Sequence, residues 1–225
     1  FISVPADWVV KKPSNLSMLE AMSIGTAGLT AGASVLKIIE SNPSSELPIL
    51  VTGATGGVGS VAVMLLSKLG FDVCALTGKP EANSFLTQLG ATSTILRSDY
   101  LDAPAKPMAR PMYAGAVDTV GGIILGKLLS EIAPHGLVSC CGNVGGMELN
   151  TTVFPFILRG ISLCGIDSAE SAIEFKKGLW ERFSNDWKLD LSSSTKEISK
   201  DQLGEEIQKI LQGGQQGRVV LNHKE

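Results

Sequence analysis

The sequence predicts an α/β protein built on a doubly wound, six-stranded parallel sheet, and three observations carry that prediction. Four residues of strand character, Ile49-Leu50-Val51-Thr52, run into the glycine-rich stretch Gly53-Ala54-Thr55-Gly56-Gly57-Val58-Gly59-Ser60. Apolar residues then recur at helical spacing at Val58, Val61, Ala62, Leu65, Leu66 and Leu69. From there to Ile166 strand-like and helix-like stretches alternate, and glycine returns at the end of most strands, the grammar of a complete Rossmann sheet with right-handed crossovers.

The elements follow in order. Ser17-Met18-Leu19-Glu20 is a capping-box pattern that starts a helix running to Ile24. Gly25-Thr26-Ala27-Gly28 interrupts it, and residues 30–40 form a second helical run with Ala31, Val35, Ile38 and Ile39 on one face. Asn42-Pro43-Ser44-Ser45 is a loop into the first strand, and Gly70 stops the helix that follows the glycine turn. A strand is expected over 72–77, a short helix from Pro80-Glu81 to Leu89 ended by Gly90, and a strand over 93–96. Pro104, Pro107 and Pro111 make 98–113 irregular. Strands are then expected over 116–120, 137–141 and 161–166, with a helix over 123–133.

After Ile166 the alternation stops. A helix over 169–183 carries Trp180 and Phe183, residues 186–194 are polar, and Ser199-Lys200-Asp201-Gln202 is a second capping box. It opens a helix with Leu203, Ile207, Ile210 and Leu211 on one face, stopped by Gly213-Gly214. The chain closes on a strand over 217–221 with no evident partner nearby in sequence. It opens, without an initiator methionine, on Phe1-Ile2-Ser3-Val4-Pro5, which reads as the middle of an extended segment. Together these lead us to expect that the closing strand pairs with strands preceding Phe1, in a longer protein.

Composition narrows the class. The chain has 225 residues, 44% hydrophobic and 18% charged, enough for a packed core, and a net charge of -3 that argues against nucleic acid as main partner. No apolar run is expected to approach the roughly 20 residues of a membrane span, and no signal-peptide pattern opens the chain. Cys74, Cys140, Cys141 and Cys164 show no C-x-x-C spacing and read as small reduced hydrophobes, which leans towards the cytoplasm. His135 and His223 are isolated and read as structural, so no metal site is expected.

In a doubly wound sheet, ligands lie outside the carboxyl ends of the strands. Here those ends are 52–57, 77–79, Arg97, 120–122 and 142–145. A glycine turn feeding a helix N-terminus suits a pyrophosphate, because side chains are absent and unpaired N–H groups face the anion. Thr55, Gly56, Gly57 and Val58 are therefore candidate cofactor residues, although the strict glycine template reads A-x-G-x-x-G, with Ala54 first and Gly59 last. The second strand ends in Leu76-Thr77-Gly78-Lys79-Pro80, without the acid that holds a free ribose 2′-hydroxyl. The hydroxyl and ammonium of Thr77-Gly78-Lys79 point to a 2′-phosphate and so to NADPH over NADH, and Arg97, at the next strand end, is a further candidate cofactor residue. Glu81 lies slightly further on, where an acid also complements the first turn of a helix.

Several stretches add a resemblance. They are Val4-Pro5-Ala6-Asp7, Gly25-Thr26-Ala27-Gly28-Leu29-Thr30-Ala31, residues 52–60 (TGATGGVGS), 114–121 (AGAVDTVG), 151–165 (TTVFPFILRGISLCG) with Ile166-Asp167-Ser168, and Gln216-Gly217-Arg218. With these the chain resembles the C-terminal two-thirds of a zinc-independent medium-chain dehydrogenase/reductase of the quinone oxidoreductase-like group, nearest the bacterial acryloyl-CoA reductase branch. The resemblance implies hydride transfer from NADPH to the activated double bond of an enoyl thioester, with quinone reduction as the alternative and a nucleotide-binding module without chemistry as the alternative of another class. It implies that Thr30 approaches the cofactor, that Gly142 and Asn143 flank the nicotinamide, and that Arg218 belongs to the cofactor site. In that branch the turn after the second strand is typically Ser-Gly-Arg, so Thr77-Gly78-Lys79 keeps the cation and loses the guanidinium fork. It divides the chain into a linker over 1–15, an NADP-binding domain over 16–165, and a segment over 166–225 that returns to a GroES-like catalytic domain. The catalytic side chains are expected before Phe1, none being assigned within this chain, which is then expected to bind NADPH but to reduce acryloyl-CoA negligibly by itself. The expected partners are a small-molecule substrate, an enoyl-CoA or a quinone, and a second copy in a homodimer.

Overall fold

The computed structural model describes residues 2–44 and 46–223, so the readings placed on Phe1 and Ser45 lie outside the described residues. Six parallel strands, β1 (Ile49–Thr52), β2 (Val73–Thr77), β3 (Ser93–Leu96), β4 (Gly115–Asp118), β5 (Leu137–Cys140) and β6 (Ser162–Gly165), lie in the order β3-β2-β1-β4-β5-β6. Chain order reverses between β1 and β4, which opens a crevice at their carboxyl ends. Every residue of β1, β2 and β4 is buried, which is why these strands read as continuous apolar runs rather than alternating ones.

The sheet separates two cores. Ile49 and Val51 face one of them with α1 (Met18–Glu40) and α2 (Gly57–Lys68), through Val35, Ile38, Val61, Leu65 and Leu66. Leu50, between them in sequence, points the other way into a core with Leu128 and Leu129 of α5 (Gly122–Leu129), as strand alternation requires. Each such buried aliphatic side chain contributes about 1.5–3 kcal/mol of transfer free energy. Between β2 and β3 the chain forms a single 3₁₀ turn and α3 (Asn83–Gln88).

Four readings of the sequence need correction. The break in the first helix is confined to Gly25, whose backbone (φ 48, ψ −157) is open only to glycine, so α1 resumes well before Thr30. The resulting 23-residue helix is long and apolar enough by length and composition to cross a membrane, contrary to the expectation that no such run exists. Its apolar side packs on α2, β4, β5 and α7 (Ile173–Ser184), and Ala31, Val35 and Ile38 are fully buried, so the core accounts for its composition. The stretch expected to be irregular holds α4 (Arg97–Asp102), which is complete before the first proline at Pro104. Finally, the closing strand β8 (Arg218–Leu221) pairs in parallel with β7 (Thr195–Ile198), a partner within the chain that its exposed Lys196 and Glu197 disguised. Between β5 and β6 runs α6 (Phe154–Arg159), ended by Gly160 in the left-handed conformation, and α8 (Leu203–Leu211) connects the two last strands. Both capping boxes form, at Ser17 with Glu20 and at Ser199 with Gln202.

A buried polar cluster holds α4 in place. Tyr100 donates its hydroxyl proton to Glu131 Oε2 at 2.6 Å, and Lys127 donates to the Tyr100 carbonyl at 2.7 Å while its ammonium lies 4.0 Å from the Tyr100 ring centre and 3.3 Å from Glu131 Oε1. All three side chains are nearly withdrawn from solvent, so removing one partner strands the others. Burial raises the Tyr100 phenol far above its ordinary range, with the Glu131 charge adding to it, and burial likewise raises Tyr113. These are the two tyrosines of the chain. The folded protein therefore keeps both phenols protonated above pH 10, where the unfolded chain releases both protons, so this contribution to stability is present below pH 10 and is lost as pH rises beyond it. We expect an alkaline absorbance titration to show no tyrosinate until the fold is lost, and the melting temperature to fall above pH 10. A phenol titrating near pH 10 in the folded protein would contradict the burial described.

Candidate dinucleotide site

The site is built where β1 ends and α2 begins. Gly53 adopts φ +59, and a Cβ there would lie 2.3 Å from Thr119 Oγ1, so the conformational demand falls one residue before the Ala54 that the glycine template placed first. Gly56 caps α2 and donates its N–H to the Gly53 carbonyl at 2.9 Å. At Gly59 a Cβ would stand 2.3 Å from the Gly53 carbonyl oxygen and 2.8 Å from Ala54 Cα, so only glycine allows the helix to lie this close to the strand. The first N–H groups of α2 are thereby aimed into the crevice, where the helix dipole favours an anion.

The floor of the crevice is fixed by a residue that the sequence reading passed over. Asp118, fully buried at the end of β4, accepts the Thr52 hydroxyl proton at 2.7 Å and the Gly121 N–H at 2.9 Å. Thr52 Oγ1 in turn accepts the Thr119 N–H at 3.0 Å, and Thr119 Oγ1 donates to the Thr52 carbonyl at 2.8 Å. Burial pushes the Asp118 carboxyl above the usual range, while these donors act in the opposite sense. The network locks the ends of β1 and β4 together at the point where chain order reverses. An acid inside the apolar run Ala116-Val117-Asp118-Thr119-Val120 was the available signal.

Above this floor lies a cleft of about 720 Å³, lined by Thr55, Gly56, Gly57, Val58, Gly78, Lys79, Arg97 and Arg218 among the predicted residues, together with Thr119, Val120 and residues near the chain's end. Three cations, Lys79, Arg97 and Arg218, face it, and among its described lining residues there is no acid. The Arg97 guanidinium crosses Gly78, 3.0 to 3.4 Å from where a Cβ would stand, so a side chain at that position would push it away. The Arg218 guanidinium runs between the α1 break and the start of α2; its Nε donates to the Ser23 carbonyl at 3.1 Å and its Nη1 lies 2.7 Å from a Cβ built on Gly57. Lys79 donates to the Gln215 carbonyl; burial lowers its pKa, and Glu81, outside the cleft lining, acts in the opposite sense.

Four predicted residues stand apart from the lining. Thr77 is buried just behind it, its hydroxyl accepting the Lys79 N–H at 3.1 Å, which shapes the turn and leaves the hydroxyl proton free to donate. Thr30 is buried in α1, donates to the Thr26 carbonyl at 2.9 Å and pairs with Ser168 Oγ at 2.7 Å. Gly142 packs on Thr119, whose carbonyl oxygen would lie 2.0 Å from a Cβ there, and Asn143 is exposed. Their loop lines the cleft through Val144 and Gly145 instead, Gly145 donating its N–H to the Val120 carbonyl at 2.7 Å while Val144 stays exposed at the cleft rim. Among the described residues no group of three or more His, Cys, Asp or Glu side chains is placed to hold a metal ion, and the four cysteines are free thiols. Burial raises Cys141 to about 11.

The residues present fit a dinucleotide: a side-chain-free helix N-terminus for the pyrophosphate, cations along the cleft and no carboxylate among its described lining residues. Comparison with known proteins agrees. Residues 57–185 match the family model for zinc-binding dehydrogenases. The putative quinone oxidoreductase YhfP of Bacillus subtilis is 46% identical over 224 residues, 98% of this chain and 68% of that protein. The chain belongs to the medium-chain dehydrogenase/reductase family. The acrylyl-CoA reductase AcuI of Ruegeria pomeroyi is 39% identical over 98% of this chain and 67% of its own length. The crystal structure of YhfP with NAD bound superposes with a TM-score of 0.93 at 47% identity, covering 98% of this chain and 68% of that one. The Escherichia coli K-12 YHDH structure with bound NADPH gives 0.90 at 38% identity, covering 96% and 67%. As a family member, this chain has the six-stranded parallel sheet expected of the cofactor-binding half.

The two glycine positions of the turn are expected to behave differently. A Cβ at Gly56 meets only the Gly53 carbonyl oxygen, at 3.2 Å, at an ordinary φ of −76, whereas at Gly59 it meets main chain at 2.3 Å. Gly56→Val should melt within about 1 kcal/mol of the parent yet lose cofactor binding, because the side chain fills the pyrophosphate space; Gly59→Val should cost about 3 kcal/mol of stability. Denaturant unfolding together with a cofactor titration checks both. Parental cofactor affinity in Gly56→Val would move the phosphate site elsewhere.

Proposed function

We propose that this chain is the cofactor-binding part of an NADPH-dependent oxidoreductase that reduces the activated double bond of an enoyl thioester such as acryloyl-CoA. The observation that carries the reading is the cleft with Lys79, Arg97 and Arg218 along it and no acid in its described lining, which favours the more highly charged of the two nicotinamide cofactors. The bound cofactor supplies the hydride. The chain's own residues bind and orient it: the Gly56–Gly57 turn for the pyrophosphate, Arg218 beside it, and Thr77, Lys79 and Arg97 for the 2′-phosphate. Thr30, Gly142 and Asn143, outside the lining, are assigned to the nicotinamide end, where the substrate is reduced. Residues 16–165 form the cofactor domain and 1–15 and 166–225 belong with the substrate-facing part, a division supported by the separate β7–β8 sheet.

A second reading is quinone reduction, favoured by the 46% identity to a putative quinone oxidoreductase. Free thiols support a cytoplasmic location, and the exposed row Val153, Phe154, Ile157 and Leu158 beside the edge strand β6 supports a homodimer. A panel of acryloyl-CoA, longer enoyl-CoAs and quinones with the full-length protein, followed at the nicotinamide absorbance, separates the two enzyme readings; cofactor binding with no turnover on any of them would leave a nucleotide-binding module. For the cofactor itself, Lys79→Ala should weaken NADPH by about 1–3 kcal/mol, the range of a hydrogen bond to a charged group, and leave NADH nearly unchanged. Equal losses for both cofactors would remove Lys79 from 2′-phosphate recognition.

A further inference from the structure

The segment after α8 crosses the cleft in a way that neither the glycine motif nor the strand-end pattern foreshadows. It is anchored at both ends. At the start, the Gly213 N–H bonds the Ile210 carbonyl at 3.0 Å and the Gly214 N–H bonds Lys209 at 2.9 Å, tying it to α8. At the far end, the Gly217 N–H donates to the Thr55 carbonyl of the phosphate turn at 2.9 Å, and Arg218 follows with its bond to Ser23. Gly217 has φ +65, and a Cβ there would stand 2.1 Å from the Ser194 carbonyl oxygen, so this anchor admits only glycine. Between the anchors, the Gln215 carbonyl accepts a hydrogen bond from the Lys79 ammonium across the cleft. Gln212, Gly213, Gln215 and Gly217 all line the cleft.

We propose that residues 212–217 are a strap across the adenosine half of the cofactor, and that the Gln215 main-chain carbonyl is the positioning group that aims Lys79 at the 2′-phosphate. A lysine ammonium has three protons on a flexible four-carbon stem, and fixing that stem at the moment of binding costs rotamer freedom. Here one proton is already committed to Gln215, which fixes the stem and leaves two protons for an acceptor in the cleft. A phosphate is a far stronger acceptor than a carbonyl, and with both in place the ammonium joins strap to cofactor. NADH offers only a neutral 2′-hydroxyl at that position, a much weaker acceptor than a phosphate. The strap is therefore held down by NADPH and left as it is by NADH, so discrimination between the cofactors rests on the strap as well as on Lys79.

This inference rests on the NADPH reading above, and the experiment separates the two. Hydrogen exchange of the full-length protein is followed with saturating NADPH, with saturating NADH and with neither, alongside a fluorescence titration of each cofactor. The expected result is several-fold slower exchange across 212–217 with NADPH than with NADH, and no such difference in Lys79→Ala. Deleting Gln216, which draws the Gln215 carbonyl away from Lys79, should lower NADPH affinity several-fold while NADH affinity holds. If NADPH fails to bind, the cofactor reading is wrong. If NADPH binds but protects 212–217 no more than NADH, or if the difference persists in Lys79→Ala, or if the deletion leaves the ratio of the two affinities unchanged, the strap proposal is overturned.

Discussion

The close approach of α2 to the end of β1 governs the rest of the molecule. The contact is main chain on main chain: the Gly53 carbonyl sits where the Cβ of any residue other than glycine at position 59 would be. Because the two backbones nearly touch, the first turn of α2 points its free N–H groups into the crevice rather than across it. The same approach seats the inner face of α2 on β1 and α1, and Val61, Ala62, Leu65 and Leu66 are withdrawn from water. A methyl group at one position would thus disturb both the proposed anion site and a core, so the glycine turn is a structural element whatever it binds.

Charge in the cleft is arranged by main-chain geometry more than by ion pairs. Arg97 reaches the cleft by crossing a glycine, Arg218 threads between a helix break and a helix start, and Lys79 is tied to a carbonyl. None of the three is paired with an acid in the salt bridges among the described residues. Lys79 and Arg218, partly desolvated and held by carbonyl acceptors, keep their field available to an incoming anion, whereas a carboxylate partner would have cancelled it. The acid that is present, Asp118, is turned away into the sheet, where hydroxyl and amide donors hold it. At the back of the sheet the Tyr100–Lys127–Glu131 cluster fixes α4, and with it the point from which Arg97 sets out.

Much of this was legible in the residues. The order of the six strands from Ile49 to Gly165, and the helices after β1, β2 and β4, followed from periodicity and glycine punctuation, and most of the predicted cofactor residues do converge on one cleft. What was misread has a common origin. The helix at 97–102 was hidden by prolines that begin only after it, and its stability comes from Tyr100 packing against a helix thirty residues on. The partner of β8 was hidden because β7 is charged on its outer side, so its pattern did not read as a strand. The loop after β5 brings Val144 and Gly145 rather than Gly142 and Asn143 to the cleft, where the Gly145 N–H meets the Val120 carbonyl, a contact that no local pattern announces.

By itself the sequence determined the class of fold, the position of the glycine turn and the absence of an acid at the end of the second strand. These are local properties: hydrophobic period, glycine placement and residue type at a strand end act over a few neighbouring residues and can be read one window at a time. Only the tertiary structure decided that Asp118 lies beneath the crevice, that Thr77 stands behind Lys79, that β8 closes on β7 and that Gln215 meets Lys79 across the cleft. Each of these joins groups brought together by the turn geometry and the packing of distant elements. No pattern along the chain specifies such contacts, because they are selected by which buried polar groups find partners once the sheet has formed.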